Sequence, residues 1–413
     1  MTDYSPYPHV TINGTAVTAN IDNSVTISNG RTTIDDQART SYANITLITY
    51  DDDYITVKPN DHIVVSIPET DGTTYREIFG GWVSDIDASF GAWGLLGTIN
   101  TTQLTAVGSL AKLAVNATAA SYPLQYDGDR IYEILWSTVS TQWDEVLPTQ
   151  TWATVDASVD WLQYDNQYID DVDTPGIYEI EAYSGGVTNA LGLCQQVAQS
   201  ALGVLWEDGS GAIHYDDATH RTDNIGNYGY TEIPVEYISP YGTVSTLSTS
   251  YIANVLEVTY STGTVTGTDA TSIATFGILN RRWETLLENQ ADAQTQLDLY
   301  LETRTVPRQN LGAVTIPLHN PDLPDALRDE LVSIYNGKPV SIPDLPQAIY
   351  LYAFSGFVEG WRWTIARQTA FITLNLSDYA LSLISQTWEQ VNPAKTWQNM
   401  SATMTWQNAR VIV

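Results

Sequence analysis

Basic residues are scarce in this chain: 17 Lys and Arg stand against 48 Asp and Glu, a net charge of −31 over 413 residues. Charged residues of both signs make up only 16% of the total, below the roughly 25% usual for soluble domains. The acidity therefore comes from missing Lys and Arg, and Thr, Ser, Asn, Gln and Tyr supply the polar surface. A surface so poor in cations cannot neutralise phosphates, which argues against nucleic-acid binding. Its field would repel DNA, as suits a conduit that must not hold its cargo, and ordinary solubility or a salty habitat accounts for the same bias. The single cysteine, Cys194, excludes an intrachain disulfide and a cysteine-based zinc site. It stands beside Val197 and Ala198 in a helix-like stretch, where a buried thiol is expected. No stretch approaches the roughly 18 consecutive apolar residues of a membrane span. The start, Met1-Thr2-Asp3-Tyr4-Ser5-Pro6, lacks the basic and apolar regions of a signal peptide. What is present is a 43% hydrophobic fraction, enough for real cores, and a length that suits roughly two to four domains.

The chain carries an internal duplication. Slid by 275 positions, Val65-Ser66-Ile67-Pro68 falls on Val340-Ser341-Ile342-Pro343. In the same register Tyr75 falls on Tyr350, Phe79 on Phe354, Gly81 on Gly356, Val83 on Val358, Thr98 on Thr373 and Asn100 on Asn375. Trp82 on Phe357 keeps an aromatic. A six-residue change of register upstream matches Ile45-Thr46-Leu47 to Val314-Thr315-Ile316. Both copies read as β. Ala43, Ile45 and Leu47 alternate with Asn44 and Thr46, and Ala370, Ile372, Leu374 and Leu376 share one face of a strand. Residues 63–67, 79–83 and 95–99 read as short strands, with a hairpin turn at Asp71-Gly72. Gly81 and Gly356 inside strand patterns suggest a bulge or a sharp bend. Two similar small barrels or sandwiches are expected, one near each end.

The middle differs. Asp129 reads as the N-cap of a helix from Arg130 to about Ser137. Val187, Ala190, Leu191, Cys194, Val197, Ala198 and Ala201 recur at helical spacing. Val204-Leu205-Trp206 and Ala212-Ile213-His214-Tyr215 then form a hairpin across Asp208-Gly209-Ser210-Gly211. A further helix is expected over 290–304. Tryptophan also repeats: Trp143, Trp152 and Trp161 are nine apart, as are Trp388, Trp397 and Trp406. Both sets carry matching Val and Pro: Val146 and Pro148, Val391 and Pro393. Two readings stand: stacking platforms for sugars, or indoles buried against a neighbouring surface that tie an extended segment down.

The order of these words resembles the minor tail proteins of siphophages. Val25 to Asp35, including Gly30-Arg31, is similar to the family's opening "ITRGR…D". An alternating strand follows at 42–48, then a turn, here Asp51-Asp52-Asp53, which lacks the Arg and Gly of the family's "DNRDG". Ile78-Phe79-Gly80-Gly81-Trp82-Val83 matches the "lFtG.V" strand, and 190–215 the helix–hairpin word. Phe354-Ser355-Gly356-Phe357-Val358-Glu359-Gly360-Trp361 matches "F.G.VEG…W", and Leu376-Ser377 closes the likeness. The resemblance implies a baseplate or tail hub protein, related to the hub of contractile-tailed phages. In such hubs three copies form a ring and each contributes two tube-like β-barrels. Six barrels then meet a sixfold tail tube without mismatch.

The expected fold class is mainly β with an α+β insert: two duplicated tube-like β-barrel domains flank a helix-plus-hairpin domain. The domains are read as 1–112, first barrel; 113–232, α+β middle domain with a Trp repeat; 233–385, second barrel with a helical insert near 288–306; and 386–413, a Trp-repeat extension. The structural landmarks are Phe79, Gly81 and Val83 with Phe354, Gly356 and Val358. The two Trp sets are the candidate interface. The resemblance implies a homotrimer at the virion tail tip, assembled in the host cytoplasm. Its partners would be the distal tail protein ring, the tape measure protein and tail-tip fibre or spike proteins, with duplex DNA passing through unbound.

Catalytic and metal motifs are poor. His214-Tyr215-Asp216-Asp217-Ala218-Thr219-His220 matches no strong metal spacing, and Asp51-Asp52-Asp53 lacks the alternating ligands of a calcium loop. There is no Gly-x-Ser-x-Gly, His-Glu-x-x-His or phosphate-loop word. No enzyme activity, cofactor or metal is expected. The alternatives are a glycan-binding or glycan-cleaving tail protein, since 48 carboxylates leave a catalytic pair open, and a distal tail ring protein.

Overall fold

The computed structural model describes residues 4–18, 21–50, 53–90, 98–139, 168–240, 243–347, 349 and 353–381. The two Trp sets, and Asp51 and Asp52, lie outside the described residues. The first repeat is built from β1 (Ile21–Gly30), β2 (Arg39–Tyr50), β3 (His62–Pro68), β4 (Tyr75–Phe90) and β5 (Ile99–Val107). In the middle come α1 (Asp127–Val139), α2 (Ala190–Ser200), β6 (Val204–Glu207), β7 (Ile213–Asp216) and α3 (His220–Tyr228). The second half holds β8 (Val244–Leu247), β9 (Val255–Tyr260), β10 (Gly263–Thr268), β11 (Asn280–Glu284), α4 (Gln290–Arg304), β12 (Gln309–Pro317), β13 (Pro339–Ile342), β14 (Phe354–Ile365) and β15 (Ala370–Asp378).

The protein is mainly β. One 13-stranded sheet runs through both halves; ten of its strands lie in the order β8-β12-β15-β14-β1-β2-β5-β4-β3, with β13 beside β14, and the short strands His9–Ile12, Thr15–Ala16 and Thr231–Glu232 complete it. Five strands of each half follow one order: β1-β2-β5-β4-β3 and β8-β12-β15-β14-β13. The pairing also matches in detail. Ile45 faces Leu104 across β2 and β5, and Val314 faces Leu374 across β12 and β15. A bulge interrupts β4 between Val83 and Asp85, and another interrupts β14 between Val358 and Gly360.

Two sequence expectations shift. Of the strand expected at 95–99, residues 95–97 lie outside the described residues, and the described strand starts at Ile99. The gap-free register fails on both sides of β4 and β14. Val65 faces Phe79 whereas Ile342 faces Phe354, so the Val65–Pro68 and Val340–Pro343 words stand two residues out of step. Beyond the bulge Val83 pairs with Ala106 but Val358 with Leu376. The first hairpin is therefore five residues longer, and the identities at Thr98/Thr373 and Asn100/Asn375 are not structural equivalents.

The bulges do not sit at the glycines. Gly81 pairs regularly with Ile63, and Gly356 with Val340. Each glycine makes room instead for a ring two residues earlier. A Cβ on Gly81 would meet the Phe79 ring and the Val107 carbonyl; on Gly356, the Phe354 ring and the Ser377 carbonyl. Both Phe side chains are fully buried, each contributing about 1.5–3 kcal/mol by burial. Substituting Gly356→Ala, or Gly81→Ala, is accordingly expected to destabilise by about 1–3 kcal/mol through overpacking. A lowered urea midpoint at unchanged slope is the check.

Alternation sets the core face of the sheet. Ala43, Ile45 and Leu47 of β2 point inward, as do Ala370, Ile372 and Leu374 of β15. One apolar cluster extends from Val10 through both repeats to Leu376. A second cluster joins α1, α2 and β7 to β9, β10 and α4 through Ile131, Val197, Ile213, Leu256, Val265 and Leu297. The insert of the second half thus packs against the middle. Cys194 is buried there, and burial pushes its thiol pKa up. The helix α1 starts at Asp127, not Arg130. The Asp127 carboxylate accepts from the Ile177 and Tyr178 amides at 2.8 and 2.7 Å and from the Tyr215 hydroxyl at 2.5 Å.

Candidate assembly site at the joint between the repeats

The two repeats meet edge to edge. The part of β14 beyond its bulge pairs antiparallel with β1, from Gly360 opposite Gly30 to Ile365 opposite Val25. Backbones approach most closely at the two glycines: a Cβ on Gly30 would strike the Glu359 carbonyl, and one on Gly360 the backbone of Arg31. Gly30 also has φ +77°, a left-handed conformation in which glycine is unstrained.

The bulge turns Glu359 inward at this joint, where it is fully buried. Arg31 Nε donates to its Oε2 at 2.6 Å. Arg221 of α3 donates from both terminal nitrogens, to Oε1 at 2.6 Å and Oε2 at 2.7 Å. The Ser377 hydroxyl donates to Oε1, and Asn336 Nδ2 donates to the Glu359 carbonyl at 2.8 Å. One carboxylate therefore ties β1, the middle segment, β14 and β15 together. Burial alone would raise its pKa, but the Arg221 and Arg31 guanidinium groups outweigh that and hold it well below the usual 4.5. The sequence words had contained both halves of this contact, Gly30-Arg31 and Glu359-Gly360, without showing that they touch.

The sign of the pH effect follows. A carboxyl depressed in the folded state contributes stability that is fully present above its unfolded value and lost as pH falls toward the folded one. The Glu359 contribution is therefore whole above about pH 4.5 and declines in acid. Urea midpoints measured from about pH 6 down to about pH 3 should fall, and fall less steeply in Glu359→Gln.

Two matching strand edges are left open. In β4, the stretch from Ser84 to Phe90 pairs with β5 on one side and has no partner strand on the other among the described residues. In β8, the edge opposite β12 is likewise unpaired among the described residues. The relation to the closed joint is direct: β4 corresponds to β14 and β8 to β1. Where β14 buries Trp361 and Trp363, the corresponding Ile86 is half-buried and Ala88 exposed. Leu247 on β8 is 68% exposed. The bulge residue corresponding to Glu359 is Ser84, whose hydroxyl donates to the Thr105 carbonyl at 3.0 Å. The open edge thus lacks the buried charge of the closed joint.

Among the landmarks, Val83 and Val358 flank the bulges, and Phe79, Gly81, Phe354 and Gly356 precede them. A cluster that local spacing did not reveal is Asp170, Asp208 and His214, on the wall of a cleft of about 1110 Å³.

No family model and no curated protein matches the chain. Solved structures do. The 43 kDa tail protein of prophage MuSo2 from Shewanella oneidensis aligns at TM-score 0.58 and 10% identity, covering 92% of this chain and 100% of that one. The tail protein from Neisseria meningitidis MC58 aligns at TM-score 0.56 and 11% identity, covering 92% of this chain and 98% of that one. At such identity the likeness is one of fold. The chain has the fold of phage tail proteins, the coarser part of what its sequence words had implied.

Proposed function

We propose that this chain is a structural hub protein of a phage tail tip, working as a homotrimer. The observation that carries the reading is the open β4 edge and open β8 edge beside a closed joint of the corresponding strands. If the joint within the chain is repeated between chains, residues 86–89 of one copy lie beside 244–247 of the next. Such a head-to-tail contact closes into a ring when the rotation per repeat fits. Six repeats from three copies would then face the sixfold tube and the distal tail ring on one side. The tape measure protein and the tip fibres or spike would be its other neighbours. This role calls for no catalytic step, and 1–112 and 233–385 would be the two ring-forming domains with the middle domain packed outside.

The charge distribution supports passage of DNA without binding. Arg31, Arg130, Arg221, Arg304, Arg328 and Lys338 are buried, but so are Asp127, Glu207, Asp216, Glu359 and Asp378, so burial leaves the acidity set by the composition on the surface. A wall of that sign repels duplex. The test is native mass spectrometry with class averages of the isolated protein. A mass of three times 45.6 kDa with threefold views supports the ring. A sixfold ring of whole chains would favour a distal tail ring protein instead.

A further inference from the structure

We propose that Asp170, Asp208 and His214 form a binding site for a first-row divalent cation, of which Zn²⁺ is the probe of choice. The site is separate from the joint and independent of the ring. His214 lies on β7, stacked on Trp206 with ring centroids 4.3 Å apart and planes at 15°. It is only 9% exposed. Its Nε2 is buried without a hydrogen-bond partner. That nitrogen faces Asp208 Oδ2 at 3.6 Å and Asp170 Oδ2 at 3.8 Å. Both distances are too long for hydrogen bonds. They are close to the spacing of ligands around a shared ion: N and O ligands at about 2.0–2.2 Å in a tetrahedron stand about 3.3–3.6 Å apart.

The three groups are held independently of any ion. Asp208 uses its other oxygen, Oδ1, to accept from the Ser210 amide at 2.9 Å, the Ser210 hydroxyl at 2.7 Å and the Ala212 amide at 2.9 Å. Its Oδ2 stays directed at the imidazole. Asp170 sits on the strand Ile169–Val172, which runs parallel to β7 with Ile169 opposite Ile213. Its side chain is 68% exposed, so the remaining coordination positions open to water. Basic groups on the same cleft wall do not compete. Arg76 is paired with Glu69 at 2.9 Å, and Lys338 with Glu330.

The neighbouring trio Asp173, Asp216 and His220 makes the contrast. There His220 Nδ1 already meets Asp173 Oδ2 at 2.8 Å, a closed ion pair with no gap for a cation. An imidazole with two carboxylates suits Zn²⁺ and its first-row neighbours better than Ca²⁺ or Mg²⁺, which take oxygen ligands. Bound there, the ion would fasten the strand at 169–172 to the turn at Asp208.

Titration calorimetry of the EDTA-stripped, dialysed full chain with Zn²⁺ at neutral pH tests the site. One ion per chain should bind at micromolar Kd, on the order of 1 μM, and raise Tm by several degrees, as a ligand specific to the folded state does. Asp170→Asn and His214→Ala should each weaken binding about tenfold or more, whereas His220→Ala should leave it unchanged. Asp170 is exposed, so its variant keeps the test valid if His214→Ala fails to fold. Co²⁺ substitution should give visible d–d absorption that Asp170→Asn alters. Binding weaker than about 1 mM overturns the proposal, as does binding that Asp170→Asn leaves intact or that His220→Ala removes.

Discussion

Replacing Glu359 by alanine is expected to destabilise the chain by about 3–5 kcal/mol, because it leaves Arg31 and Arg221 buried without their counter-charge. Against a typical stability of about 5–15 kcal/mol, that is a large share of the total. Glu359→Gln keeps the shape but not the charge, and should lose most of the same amount. Removing all three charges together, as Arg31→Met, Arg221→Met and Glu359→Met, should cost less than Glu359→Ala alone, since no uncompensated ion remains. Urea unfolding of the four proteins gives the comparison. A near-neutral Glu359→Ala would mean that the joint is held by β1–β14 pairing and the apolar cluster, with the carboxylate incidental.

Proline substitutions along residues 85–88 are expected to divide into two classes. In an antiparallel strand, successive amides point to opposite sides. Proline at positions whose amide faces β5 breaks an internal ladder and should lower Tm. At the alternate positions it removes only outward donors, which edge strands tolerate. Those variants should keep the parent Tm but run at 45.6 kDa rather than three times that mass. If the trimer survives in both classes, the contact between copies lies elsewhere. In the proposed ring the open edge would be the part most sensitive to such changes, because Ser84 stands where the closed joint has Glu359 and the edge has no corresponding ion pair among the described residues.

Much of the fold is legible where the signal is local or repeated. The helix read over 290–304 is α4, Gln290–Arg304, although its buried face mixes Ala293 and Leu297 with Gln296, Thr303 and Arg304. The hairpin of β6 and β7 follows from an Asp-Gly-Ser-Gly turn between apolar runs. The match of Ile45 to Val314 reappears as equivalent pairing, with Leu104 across β2 and β5 and with Leu374 across β12 and β15. Legibility fails where loop length changes without a compositional mark. Nothing in residues 98–100 shows that β5 is displaced by five positions against β15. The glycines suggest a bulge or a sharp bend, and the bulge lies three residues on, where strand pairing rather than residue type decides it.

The sequence by itself determined the period of many strands and helices, the doubling of the β unit and the shortage of cations, because each is a property of neighbouring residues or of composition. Tertiary structure alone decided which strand completes β14, what faces the Glu359 carboxylate and which acids surround His214. Arg31 is 328 positions from Glu359, and Arg221 is 138. Contacts at such separations leave no periodicity in the chain. They arise when edge pairing brings distant backbones to sheet spacing, and only then do burial and charge act between the side chains.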